Sequence, residues 1–186
     1  MLGKRIMIIG NGGSGKSTLA VRLGELTGFP VVHLDRLFWR AGWQQVTSEE
    51  FDRLLAAELA KDAWIIDGNY NRTIETRLER CDTVIFLDLP RFVCLFRALK
   101  RVWKYRGKTR PDMGDACPEK VDREFLAWIW HYNANNRERY RDLFTRFPDK
   151  NIFILHNRRK IRRFFEAIAD NGTSGSDHAS RSPKSA

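Results

Sequence analysis

The chain has 186 residues, 42% hydrophobic and 30% charged, with a formal net charge of +10. That length suits a single domain with a packed core under a charged surface. No apolar run nears the roughly 18 residues of a membrane span, and the opening run Ile6–Ile9 is too short for a secretory leader, so a cytoplasmic protein with no membrane partner is expected.

In chain order, apolar stretches of strand length alternate with helical periodicity, the pattern of a parallel sheet flanked by helices. Ile6–Ile9 is the first strand. Leu19, Leu23 and Leu26 follow at helical spacing, and Gly28 and Pro30 stop that helix. Val31–Leu34 reads as the second strand. Thr47 and Glu50 form a capping box before a helix whose apolar face is Phe51, Leu54, Leu55 and Leu59. Ala63–Ile66 is a short buried strand that ends at Asp67, and a polar helix over about 71–80 leads to a fourth strand at Thr83–Leu87.

Pro90 suits the first turn of the next helix, which carries Phe92, Val93, Phe96, Leu99 and Trp103 on one side. Between Arg91 and Arg110 lie eight basic residues and no acid, so most of the net charge sits in one segment. Such a concentration fits a held polyphosphate better than a general nucleic-acid surface. Tyr105–Pro118, with two glycines and two prolines, reads as a loop. Residues 119–147 read as a long helix with a break near Asn133–Asn136, followed by a fifth strand at Asn151–Leu155 and a last helix at Arg159–Ala169. The segment from Asn171 to Ala186 has no apolar periodicity and is expected to be disordered. The fold class is therefore α/β: a P-loop NTPase fold with a doubly wound, five-stranded parallel sheet.

The fold class rests on Gly10-Asn11-Gly12-Gly13-Ser14-Gly15-Lys16-Ser17, which satisfies G-x-x-x-x-G-K-S/T between a strand and a helix. Glycines let successive backbone N–H groups point inward at phosphate oxygens, and the helix N-terminus adds positive potential there. Residues 10–18, including Thr18, are thus the expected nucleotide-binding segment. Lys16 is to reach the β- and γ-phosphates of ATP, and Ser17 is to ligate Mg²⁺. Asp67, at the end of an apolar strand, is the candidate second magnesium contact, set against an ordinary Asp-Gly turn. Asp35 ends the run Val31-Val32-His33-Leu34-Asp35, where it could orient an acceptor or accept its proton, or be merely a helix-start or loop Asp. His33 has no partner in the sequence pattern and reads as structural. Phe38, Trp39 and Trp43 could cover an acceptor or form local core, with core preferred.

Several stretches carry a resemblance: HLDRLFW, WIIDGNY, TVIFLDLPR, YRGKTRPDM and CPEK, spread from Lys4 to about Phe165. In this order they resemble adenylate-kinase-related P-loop kinases, in particular the proteins known as "DNA topology modulation" proteins. The resemblance implies a nucleotide-kinase-type fold over residues 1–170 with a lid at about 102–121. It also implies that Arg97 and Arg101 contact the donor nucleotide and the transferring phosphoryl, with Arg137 a further phosphate arginine. The sequence departs from adenylate kinases at three places. Asp67-Gly68-Asn69-Tyr70-Asn71-Arg72 displaces the acceptor arginine by one position, the segment at Asp35 and Arg36 lacks the acceptor pattern, and the lid has only Cys117 where some lids hold four zinc-binding cysteines. These departures exclude a lid zinc and speak against AMP, leaving a nucleoside or another nucleotide among the candidate acceptors. Lys16, Asp35, Arg97, Arg101 and Arg137 are the catalytic candidates for transfer from ATP to a small molecule. The alternatives are an ATPase that regulates nucleic acid, with Trp103 and Tyr105 interleaving the basic run, and an ATPase switch.

Overall fold

The computed structural model describes residues 2–113, 116–118 and 122–173. Parts of the expected lid and the tail from 174 onward lie outside the described residues. Five parallel strands form the main sheet: β1 (Arg5–Gly10), β2 (Val31–His33), β5 (Trp64–Asp67), β6 (Thr83–Leu87) and β7 (Asn151–Leu155), in the order β2-β5-β1-β6-β7. The connecting helices are α1 (Lys16–Thr27), α2 (Leu34–Phe38), α3 (Ser48–Leu59), α4 (Ile74–Arg80), α5 (Arg91–Lys104), α6 (Arg123–Thr145) and α7 (Arg158–Thr173). A short antiparallel hairpin joins β3 (Trp39–Arg40) to β4 (Gln44–Gln45).

Alternation along the central strands divides the core. Met7, Ile9, Trp64, Ile66, Val84 and Phe86 face α3, α4 and α6, where they meet residues such as Phe51, Leu78 and Tyr140. Ile6, Ile8, Ile65, Ile85 and Leu87 face α1 and α7, where they meet Leu23 and Phe164. Both faces being covered explains why these strands read as continuous apolar runs. Each fully buried aliphatic side chain contributes about 1.5–3 kcal/mol. The strand neighbours of β1 come from connections running in opposite directions, so a crevice opens beyond its carboxyl end, where open α/β sheets place ligands.

Three expectations change. Leu34 and Asp35 belong to α2 and not to the second strand. The long helix α6 is continuous: Asn133 donates off the helix to the Leu89 carbonyl at 3.0 Å, and Asn136 shares the Tyr132 carbonyl four residues back, at 2.9 Å, without breaking the ladder. Helix α7 runs on to Thr173, past the expected start of the tail. On α5, Phe92, Val93, Phe96, Leu99 and Trp103 share a side, but that side faces outward, with Trp103 80% exposed. The inward side is Cys94, Ala98 and Val102. A Cβ on Gly13 would lie 2.3 Å from the Cys94 carbonyl oxygen, so helix and loop touch backbone to backbone and only small residues fit between them. Among the described residues no helix is long and apolar enough to cross a membrane.

Candidate active site

The loop after β1 turns through left-handed Gly13 (φ 74°) and Gly15 (φ 98°), the latter capping α1, so Lys16 is the first helical residue. The Ser14 N–H bonds the Asn11 carbonyl at 3.1 Å. Asn11 is fully buried and donates through Nδ2 to the Ile129 carbonyl (2.9 Å) and Asn133 Oδ1 (3.2 Å), pinning the loop to α6. The buried Ser14 hydroxyl finds no partner among the described residues. Lys16 Nζ folds back onto the carbonyls of Gly10 (2.9 Å) and Asn11 (3.0 Å). Burial lowers its pKa against the opposing pull of Asp67 and Asp35.

Bases gather above this loop. Arg97 donates to the Ser14 carbonyl at 3.1 Å, and Arg101 lies 5.6 Å from the Phe125 ring centroid. Burial first, and then the charge of Arg158, lowers the Arg97 pKa. Arg22, whose guanidinium sits 4.0 Å over Phe165, and Arg158, Arg159 and Arg162 of α7 line the same cleft of about 2030 Å³. Like charges gathered along one cleft suit an anion there. The α7 arginines were not among the sequence candidates, because their spacing is that of any solvated helix face.

At the opposite edge of the sheet the cleft is acidic and aromatic. Asp67 closes β5 with 4% exposure, and His33 Nδ1 lies 2.5 Å from its Oδ1, giving the histidine the structural partner the sequence could not name. Burial lowers the His33 pKa, but this bond and the charge of Asp67 outweigh it and leave the value raised. Asp35 accepts from the Tyr70 hydroxyl at 2.9 Å. Burial raises its pKa, Asp67 adds to the rise, and the Tyr70 bond, Arg110 and Lys16 only partly oppose it. From the loop after α5, Asp112 reaches Arg110 at 3.1 Å and lies near the Ser17 side chain. Burial raises the Asp112 pKa, but Arg110 and Ser17 overcome it and hold the carboxyl below its usual value.

The aromatic cluster divides. Phe38 joins the core beside Phe51 and Tyr70, whereas Trp39 and Trp43 line the cleft with ring centroids 5.3 Å apart. Their hairpin is tied to the loop after α5. Gly42 N–H donates to the Ala116 carbonyl (2.9 Å), Trp43 Nε1–H to that of Pro118 (3.2 Å), and Cys117 Sγ lies 3.2 Å from the Arg40 carbonyl.

Two other arginines sit elsewhere. Arg137 donates to Asp88 Oδ1 at 2.8 and 3.1 Å and is not part of the cleft lining. Arg72 pairs with Asp52 at 2.7 Å on the exposed surface. Sequence reasoning missed Arg77, which is fully buried and donates to the carbonyls of Gly68 (2.9 Å), Tyr70 (3.2 Å), Thr73 (3.3 Å) and Asn69. Burial pushes its pKa down to about 10. It clamps the turn in which Tyr70 adopts φ 33°, a left-handed strain of about 1–3 kcal/mol. Asn69 Oδ1 then accepts from the Gly10 N–H and the Tyr132 hydroxyl, both at 3.1 Å, joining this turn to the phosphate loop.

No protein-family model matches the chain, and no curated protein matches it. Among solved structures it is similar to shikimate kinase from Bacteroides thetaiotaomicron, with TM-score 0.52, 17% identity, and coverage of 91% of this chain and 98% of that one. It is also similar to shikimate kinase from Acinetobacter baumannii solved in complex with shikimate, with TM-score 0.55, 16% identity, and coverage of 92% and 93%. The fold is therefore α/β of the P-loop NTPase kind found in shikimate kinases, as the five-stranded order and the loop after β1 require.

Proposed function

We propose that this chain is an ATP-dependent kinase that moves the γ-phosphoryl of ATP to a hydroxyl of a small acceptor. The observation that carries the reading is the polarity of one cleft: Lys16, Arg97 and Arg101 converge over the phosphate loop, and the Asp35 carboxylate faces them from the other edge of the sheet. Phosphoryl transfer is largely positioning and charge stabilisation, so this set suffices in kind. The similarity to shikimate kinases supports the same reaction class at the level of fold, and the adenylate-kinase-related resemblance supports a kinase over other P-loop activities.

Mg²⁺ fits the donor set. Ser17 offers a hydroxyl and Asp67 a carboxylate, both oxygen ligands, while the partnerless Ser14 hydroxyl leaves the loop a free polar group for phosphate. No three His, Cys, Asp or Glu side chains among the described residues could hold a metal by themselves, as suits an ion that arrives with the nucleotide. When bound, the ion supplies charge neutralisation between the β- and γ-phosphates. Asp35 takes the proton of the acceptor hydroxyl. The segment at about 102–121 serves as the lid that excludes water, with its far limb resting on the β3–β4 hairpin. Arg137 would act only through Asp88. Three buried free cysteines suit a reducing cytoplasm.

A second reading, an ATPase that acts on nucleic acid, draws on the outward aromatics Phe96 and Trp103 beside Lys100 and Lys104. Screening hydroxylated metabolites, nucleosides and nucleotides for ADP release decides between the two. Acceptor-dependent release supports the kinase, and acceptor-independent release stimulated by DNA overturns it.

A further inference from the structure

Charge is segregated along the cleft, and this bears on what the acceptor is. The bases come from α5, from α7 and from the side of α1 where Arg22 meets Phe165 of α7. The wall at the β2 edge is built from Asp35, Trp39, Trp43, Gln45 and Tyr70, with Asp67 at its floor. Among the described residues, the guanidinium groups near this wall are committed elsewhere. Arg72 pairs with Asp52 on the surface, Arg77 is spent on four backbone carbonyls, and Arg110 is matched by the Asp112 carboxylate at 3.1 Å. Arg36 is exposed and outside the lining. An acceptor carboxylate or phosphate seated here would meet the carboxylates of Asp35 and Asp67, with no net positive partner on this wall among the described residues.

The same wall offers flat apolar surface. Trp39 and Trp43 stand edge to face at 5.3 Å, Phe38 buttresses Trp39 at 5.0 Å, and the Trp43 indole N–H is anchored on the Pro118 carbonyl. Rings held this way can receive a planar group or a cation on their faces.

We propose that the acceptor is a neutral or cationic alcohol bearing a flat ring, not a carboxylate or a phosphomonoester. This rests on the kinase reading above. The acceptor oxygen attacks the γ-phosphorus of ATP while the bond from that phosphorus to the β,γ-bridging oxygen breaks. Its electron pair leaves with ADP, and the hydroxyl proton passes to Asp35 and then to water. The ring lies against Trp39 and Trp43, and Asp35 holds the hydroxyl.

The test uses the full chain with Mg²⁺ and ATP against two panels, with products identified by phosphorus NMR. One panel holds nucleosides and ring-bearing amino alcohols; the other holds nucleoside monophosphates and hydroxylated carboxylates, shikimate included. The first panel is expected to accelerate ADP release and yield a new phosphomonoester. Trp39→Ala should raise the acceptor KM about tenfold with the ATP KM unchanged, and Trp39→Phe, which keeps a ring and the packing, should recover most of the loss. Transfer to an anion with kcat/KM equal to or above that of every neutral compound overturns the proposal and leaves the kinase standing. Failure of both panels to raise ADP release above hydrolysis overturns the kinase reading and the proposal with it.

Discussion

The phosphate loop and the opposite wall of the cleft are built by different means. The loop is nine consecutive residues whose geometry follows from glycine positions and the start of α1, and its contacts to α5 and α6 only press it into place. The far wall is assembled from α2, a hairpin of two-residue strands, the turn after β5 and a loop 75 residues further along the chain. A contiguous site can be damaged at one residue without disturbing its frame. An assembled one fails through its supports as readily as through its chemistry. Mutations on the two sides should therefore separate loss of turnover from loss of structure.

The largest effect is expected at Lys16. Its Nζ sits on two loop carbonyls, and the motif assigns it to the β- and γ-phosphates under the kinase reading, so Lys16→Ala should lower kcat at least about 10³-fold with the melting temperature little changed. Steady-state ATP turnover and a melting curve check both halves. Normal turnover would place the chemistry elsewhere.

Asp35→Asn comes next and tests the wall. Losing a general base should cost about 10²–10⁴-fold in transfer while ATP binding persists. Because burial raises the folded-state pKa of Asp35, its charge opposes folding above that pKa. The Asn variant should therefore melt higher than wild type at pH 7, and the difference should shrink as pH falls and the wild-type carboxyl protonates. The acid limb of kcat/KM should lie above the ordinary carboxylate range of about 4 and vanish in the variant. Asp67→Asn should instead raise the magnesium requirement whichever acceptor is used. If the two variants weaken ATP binding equally, the division between donor and acceptor sides is wrong.

How legible these regions are follows from the same contrast. Gly10 to Thr18 and the five main strands could be read because each is local, a motif or an apolar run. Asp67 could be placed at a strand end because a strand end is a local feature, whereas Asp35 lies in the first turn of α2 and not at a strand end. Periodicity told which residues of α5 share a side but not which side turns inward, since that depends on Gly13 meeting Cys94 from 81 positions away. The hairpin at 39–45 was hidden because its strands are too short to show alternation and its partners lie at 116–118. The α7 arginines and Arg77 were hidden because a basic residue on a helix carries no mark of where it points.

Arg77→Leu should break the wall without touching its chemistry. Four carbonyls would lose their donor and the left-handed turn at Tyr70 its clamp, for a destabilisation of about 3–5 kcal/mol by chemical denaturation. Acceptor KM should rise before ATP affinity changes, because Tyr70 holds Asp35, whereas Lys16 rests on its own loop. An unfolding free energy within about 0.5 kcal/mol of wild type would show that the turn needs no clamp.

The smallest effect concerns the loop that joins the two sides. Asp112 lies near Ser17 on the proposed donor side, and the carbonyls of Ala116 and Pro118 accept from the hairpin on the proposed acceptor side. A phosphate and its ion at Ser17 would displace the Asp112 carboxylate toward Arg110, its ion-pair partner. The near limb, about 105–113, should then change hydrogen exchange when a non-hydrolysable ATP analogue binds. The hairpin-bound limb at 116–118 should change less, since its partners Gly42 and Trp43 do not depend on nucleotide. Adding acceptor as well should slow exchange on both limbs, because only then are both walls filled. Exchange that slows uniformly with nucleotide alone would mean that the loop closes as one piece, and that the acceptor wall is completed by ATP and not by the acceptor.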